Sequence, residues 1–305
     1  MTFCIFDAHA DTISRLLDNG EDIFKSSGQL DLNRMKNTGF PYVQIFAAFT
    51  ERIDNPALRV LKIIDKYYEF VSESDMLVHC LSAEDIERNI CCGKILSLLS
   101  IEGGDALLGS LEMLRNFYRL GVRVVTLTWN FGNEIADGIL EKRGSGLTGF
   151  GAEVVREMNR LGMVIDVSHL SERGFWDVAK ISSKPFIASH SNARTLCSNP
   201  RNLTDEQIKE IIRINGCIGL NFYPDFLNND GKSSIKDIVK HADYILSMGG
   251  ENVLGFGSDF DGVDRLPCGI SGAESYPDII NEFLRMGYSE ELVNKICFGI
   301  FFRVF

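Results

Sequence analysis

Three imidazoles and three carboxylates in this 305-residue chain stand where a set of metal ligands could assemble. They lie in Asp7-Ala8-His9-Ala10-Asp11, Ser100-Ile101-Glu102-Gly103-Gly104, Asp166-Val167-Ser168-His169, Ala188-Ser189-His190-Ser191 and Gly257-Ser258-Asp259-Phe260-Asp261-Gly262. Imidazole with carboxylate suits Zn2+ and its borderline neighbours without any thiolate. Six such groups exceed what one catalytic zinc takes, and they match two metals sharing a bridge. His9 and Asp11 are two positions apart, so on an extended segment both project to one side and could reach one metal. An H-x-D pair or a lone histidine is not specific; the signal is the recurrence of such groups at strand ends. The other two histidines, His79 and His241, read as structural.

Each of these segments follows a short apolar run. Residues 3–7, 43–49, 95–101, 122–128, 163–167, 186–189, 217–222 and 253–257 read as eight strands alternating with helical stretches, the pattern of parallel βα units. The expected fold is a (β/α)8 TIM-like barrel forming one domain over residues 1–305. The chemistry-bearing segments follow strands one, three, five, six and eight. They therefore converge on the C-terminal mouth, where such barrels keep their active sites. A ninth run, 76–80, is expected to belong to an excursion outside the main sheet.

Among the helices, 106–119 carries Leu107, Leu111, Leu114 and Tyr118 on one face, and Gly149–Leu161 ends against Gly162. Ser171 opens a helix directly after a strand, and Thr204 with Gln207 three residues on spells a capping box. Residues 289–302 read as an amphipathic helix closing the outer ring, with Phe298, Phe301 and Phe302 as core packing. Residues 18–35 read as loop with a short helix.

Acidic residues outnumber basic ones, 42 against 31, for a net charge of −11. That balance repels nucleic acid and anionic membrane surfaces, and no Lys/Arg block reverses it locally. No stretch approaches the run of about 20 apolar residues that spans a bilayer. The opening residues do not spell a secretory leader, and the closing ones do not spell a lipid-anchor signal. The eight cysteines are scattered without a C-x-x-C pair, so buried free thiols are expected, including the adjacent Cys91 and Cys92. Together these features suggest a reducing cytoplasm.

In its ordered motifs the chain resembles the membrane-dipeptidase (renal dipeptidase-like) family of metal-dependent amidohydrolases. Besides the segments above, the resemblance covers Gly121-Val122-Arg123, Leu127-Thr128, Leu220-Asn221-Phe222-Tyr223 and Arg303-Val304-Phe305. It implies a dipeptidase holding two Zn2+, with His9 and Asp11 on one ion, His169 and His190 on the other, and Glu102 bridging. It further implies that Asp259 transfers protons and that Arg201, in Ser198-Asn199-Pro200-Arg201-Asn202, holds the substrate's terminal carboxylate. A zinc-activated hydroxide would attack the peptide carbonyl, and the carboxylate clamp would restrict cleavage to dipeptides, C-terminal D-residues included. A homodimer is the family habit.

The chain departs from the family pattern around the substrate. Trp129 stands where many animal members have a histidine that stabilises the oxyanion, and Asp105 follows Glu102-Gly103-Gly104 where a histidine can occur. Residues 39–44 are bulkier than the Gly-rich version, and Ile300 replaces a common asparagine. Two other functions fit the same residues. One is a related binuclear amidohydrolase acting on another small amide or lactone, such as an N-acyl amino acid. The other is a catalytically silent, metal-stabilised binding protein.

Overall fold

The computed structural model describes residues 3–305. Nine parallel strands form one sheet: β1 (Ile5–Ala10), β2 (Tyr42–Phe49), β3 (Leu77–His79), β4 (Ile95–Glu102), β5 (Val122–Thr126), β6 (Val164–Asp166), β7 (Ile187–Ala188), β8 (Cys217–Leu220) and β9 (Leu254–Phe256). The order β2-β1-β9-β8-β7-β6-β5-β4 is closed by a β2–β4 pairing, so eight of them make a parallel barrel with helices between the strands. Strands buried on both faces need near-continuous apolar sequence, and β2 (YVQIFAAF) and β4 (ILSLLSIE) supply it.

The run at 76–80 is hydrogen-bonded into the sheet after all. β2 pairs with β4 from Leu96 to Glu102, so β3 and β5 must share the opposite edge, β3 along Ile95–Ser97 and β5 along Leu99–Glu102. β3 thus fills the edge below the start of β5 without acting as a stave. Strand 1 also begins two residues later than expected, which places His9 inside β1 and not after it.

Alternate side chains of the strands fill the barrel, including Phe6, Val43, Ile45, Leu96, Leu98, Val124 and Ile187. Ile300 and Phe301 join this cluster, and Phe6 stacks on Phe301 and Phe305 at 6.0 and 5.8 Å between ring centroids. The C-terminal segment therefore plugs the floor of the barrel and does not complete its outer ring. It is also not uniformly α-helical, since Glu290–Asn294 passes into a π turn at Lys295–Gly299 before Ile300–Phe302.

The expected helix at 106–119 is two pieces, a 3-10 turn at Gly104–Leu107 and a helix at Leu111–Arg119. Leu108 and Gly109 both have positive φ, 51° and 67°, which a right-handed helix cannot pass through. Ser110 then caps the new start by accepting from the Met113 N–H. Gly149–Leu161 ends on Gly162 at φ 77°, Ser171 caps Glu172–Ile181, and Thr204 and Gln207 form the reciprocal capping box, all as expected. Between Thr12–Asn19 and Leu32–Asn37 the chain is irregular, also as expected.

Cys80, Cys197, Cys217 and Cys297 are buried free thiols, but Cys91, Cys92 and Cys268 are exposed. Cys91 and Cys92 sit in the surface turn between Ala83–Asn89 and β4, where nothing packs over them. No helix among the described residues is long and apolar enough to cross a membrane.

Candidate metal centre and active site

At the C-terminal mouth, a cavity of about 1030 Å³ is lined at its base by Asp11, Glu102, His169 and Asp259, and the buried His9 and His190 cluster with them. Glu102, the last residue of β4, lies at their centre. Its Oε2 is 3.3 Å from His9 Nε2; its Oε1 is 2.9 Å from His169 Nε2 and 3.5 Å from His190 Nε2. Asp11 Oδ2 is 3.3 Å from His9 Nε2, and Asp259 Oδ1 is 3.9 Å from the same nitrogen. Ligand atoms thus gather in overlapping triads, His9–Asp11–Glu102 and Glu102–His169–His190, with Asp259 joining His9 and His190 in a third. The sequence spreads these residues over most of the chain; barrel closure brings them together.

His190 reaches the centre because the end of β7 leans into the barrel. The Ser189 carbonyl lies against Gly219 and Gly257, and a Cβ at either position would overlap its oxygen. Glycine there is what the close approach requires. Asp259 sits at φ 64°, a left-handed conformation that Asp tolerates better than most residues and that costs free energy unless its surroundings enforce it. Here the Asp259 N–H donates to the His9 carbonyl, and Asn221 Nδ2 donates to Asp259 Oδ2 at 2.8 Å. Oδ2 is thereby fixed and Oδ1 faces the cluster.

Two buried carboxylates hold the backbone beneath these groups, and the sequence reading did not find them. Asp166 accepts from the hydroxyls of Thr126 (2.6 Å), Ser168 (2.7 Å) and Ser189 (2.6 Å), tying β5, β6 and β7 together. Asp7 accepts from the hydroxyls of Ser258 (2.5 Å) and Tyr276 (2.7 Å) and from the His9 N–H (3.2 Å). A signal was present: a serine directly precedes His169, His190 and Asp259. Each pair lies just past a strand end, where the serine hydroxyl anchors to Asp166 or Asp7 and the next residue joins the cluster at the mouth.

The same contacts assign tautomers. Ser189 Oγ donates to Asp166 and accepts from His190 Nδ1 at 2.7 Å, and Asn130 Oδ1 accepts from His169 Nδ1 at 2.9 Å. Both rings carry their proton on Nδ1, which leaves the two Nε2 lone pairs 2.9 Å apart beside Glu102, the outer-shell arrangement that metal-binding histidines use.

The electrostatics divide the set. Burial, then the Arg201 charge, lowers His169 to about 4, and burial with the nearby His9 takes His190 well below its ordinary value. Both are neutral lone-pair donors at pH 7. Burial opposes a charge on His9 as well, but Glu102 and Asp11 outweigh it and raise His9 well above its ordinary value. Glu102 is held well below the usual carboxylate range despite burial, by His9 and His169. Asp11 and Asp259 are raised, chiefly by burial and further by neighbouring carboxylates. His9 Nε2 and Asp11 Oδ1 are buried without a well-formed hydrogen bond. Desolvated polar atoms without partners cost free energy, and a cation between them would satisfy both.

Arg201 lies on the wall between β7 and β8, 5% exposed, with its guanidinium 5.5 Å from the Phe226 ring centroid. Nη1 donates to the Ser168 carbonyl and Nη2 to that of His190 at 3.4 Å, while Nε has no partner. Burial lowers it to about 10, so it stays charged at pH 7. His79 and His241 lie apart from this cluster. His79 bonds Tyr67 OH, and His241 bonds the Ala193 N–H and the Leu227 carbonyl, which are structural roles.

A profile of the family described as membrane dipeptidase (peptidase family M19) matches residues 1–305. The chain is 38% identical over 238 residues to an uncharacterized Klebsiella pneumoniae protein from the pqqA 5′ region, covering 74% of this chain and 86% of that one. It is 31% identical to human dipeptidase 3 over 100% of this chain, and spans 65% of that relative's length. A solved metallopeptidase from Rhodobacter sphaeroides, liganded with a phosphinate mimic of the dipeptide L-Ala-D-Ala, matches at a TM-score of 0.92 and 28% identity. That match covers 100% of this chain and 99% of the other.

Proposed function

Because the chain belongs to the membrane dipeptidase family of metallopeptidases, we propose that it hydrolyses small dipeptides, C-terminal D-residues included, at a two-zinc centre. The observation that carries this reading is Glu102, whose two oxygens face different nitrogen sets, His9 on one side and His169 with His190 on the other. A carboxylate so placed suits a bridge. His9 and Asp11 would hold one ion, and His169 and His190 the second. The fit rests on the unprotonated Nε2 atoms of His169 and His190 and on the unpartnered His9 Nε2 and Asp11 Oδ1. Zinc held by these residues would supply Lewis acidity for a peptide carbonyl and for lowering the pKa of water toward about 7.

The remaining steps belong to this chain's residues. Asp259 takes the nucleophile's proton on Oδ1 and delivers it to the leaving amine, and its burial favours the protonated form that this transfer passes through. Arg201 lines the cavity and keeps an unpartnered Nε, so its guanidinium would hold a substrate's terminal carboxylate there. A clamp one residue from the scissile bond leaves no room for a longer C-terminal extension. The solved relative liganded with a phosphinate mimic of L-Ala-D-Ala supports both the substrate size and the D-residue.

Zinc-reconstituted protein assayed on L,L- and L,D-dipeptides before and after chelation tests the proposal. The expected result is turnover that chelator abolishes and zinc restores, with two ions per chain at full activity. Two bound ions with no turnover of any amide would instead identify a silent binding protein. Arg201→Ala is expected to raise KM for dipeptides by about 10- to 100-fold, the worth of a charge-assisted hydrogen bond in a buried site. An unchanged KM would point to an amide or lactone that lacks the carboxylate.

A further inference from the structure

We propose that the wall of the mouth above β2 and β5 receives the side chain of the substrate's N-terminal residue, and that Trp129 and Phe49 make it select bulky apolar side chains. This rests on the dipeptidase reading and adds a specificity to it. Around the barrel the strands run β1-β2-β4-β5-β6-β7-β8-β9, so Arg201, Tyr223 and Phe226 stand roughly opposite the ends of β2 and β5. With the carboxylate end at Arg201 and the scissile carbonyl over Glu102, the acyl residue extends across the centre to that far wall.

The far wall carries a cluster of aromatic and aliphatic side chains beside Thr50, Glu51 and Asn130. The Phe49 and Trp129 rings meet edge to face with centroids 5.3 Å apart, and Trp129 lies 6.3 Å from the His169 ring. Ile53 and Leu140 line the same cavity and remain 45% and 44% exposed. Large apolar side chains gathered in one wall of a cavity, with polar groups converging at its base, are the usual mark of a side-chain subsite. The indole packs between the Phe49 and His169 rings, and the adjacent Asn130 is bonded to His169. Of the cavity's other cations, Arg15 is committed to Glu21 and Arg59 to Asp18, so neither is free to attract an acidic side chain here.

The test uses two dipeptide series on the zinc-loaded enzyme, one varying the N-terminal residue (Phe, Leu, Gly, Asp, Lys before Ala) and one varying the C-terminal residue after Gly. Phe-Ala and Leu-Ala are expected to exceed Gly-Ala and Asp-Ala in kcat/KM by about 10- to 100-fold, the range that burying one such side chain supports. Trp129→Ala and Phe49→Ala should each shrink that ratio toward unity, Trp129→Phe should keep most of it, and the C-terminal series should hold its order. Thermal unfolding of each variant checks that it is folded, so a surviving ratio reports on the wall and not on stability. A flat N-terminal series in the wild type, a ratio that survives both alanine variants, or a preference for Lys-Ala overturns the inference. So does a Trp129→Ala effect confined to the C-terminal series. Failure to cleave any dipeptide would instead sink the dipeptidase reading itself.

Discussion

Glu102→Gln is expected to lower kcat/KM for every cleaved dipeptide by at least about a thousandfold, roughly 4 kcal/mol of transition-state stabilisation at 1.36 kcal/mol per decade. Bound zinc should fall from two ions toward one or none. The side chain is 4% exposed and its two oxygens lie 2.9 and 3.3 Å from imidazole nitrogens on opposite sides. Glutamine keeps the shape but turns one of those oxygens into an N–H2 donor, aimed where a cation is proposed to sit, and removes the negative charge that both ions would share. The backbone should be undisturbed, since the Glu102 carbonyl still accepts from the Thr50 N–H. Metal analysis and kinetics on the same preparation decide the matter, with thermal unfolding as the control for folding. Two tightly held ions and a near-native rate would remove Glu102 from the bridging role.

Asp259→Asn is expected to separate chemistry from binding. General acid–base transfer by one positioned group contributes about 10²- to 10⁴-fold, and asparagine cannot carry the proton. The loss should appear in kcat, with KM and zinc content close to wild type. Asparagine is well suited as the replacement because it tolerates the φ of 64° as aspartate does, and its carbonyl oxygen can still accept from Asn221. The two variants differ in signature: Glu102→Gln should lose metal, and Asp259→Asn should keep it. If Asp259→Asn also loses zinc, the carboxylate serves mainly as a ligand and the proton travels by another group.

Much of the site was legible because its signals are local. A histidine or carboxylate directly after an apolar run names both a residue type and a position at the mouth, and all six such groups converge there. Capping at Thr204 and the stop at Gly162 were legible for the same reason, since each depends on a few adjacent residues. Misreadings arose where a non-local contact decides. The apolar pattern of 106–119 is helical in period, but backbone turns at Leu108 and Gly109 interrupt it. The pattern of 289–302 is amphipathic too, yet its aromatic residues go under the barrel, against Phe6, and not onto its flank. Asp7 and Asp166 were passed over because a strand aspartate shows its role only once the serine hydroxyls of neighbouring strands are seen to meet it.

The amino-acid order alone determined that parallel βα units form, that imidazoles and carboxylates cap their strands, and that these groups suit a pair of borderline cations. Those properties need only a period, a residue type and a place relative to a strand end. Tertiary structure alone decided which Glu102 oxygen faces which histidine, which ring nitrogen is left unprotonated, and which wall of the mouth carries the aromatic cluster. Each of these depends on the relative rotation and lean of strands far apart in the chain, and that is set only when β2 meets β4 and the barrel closes.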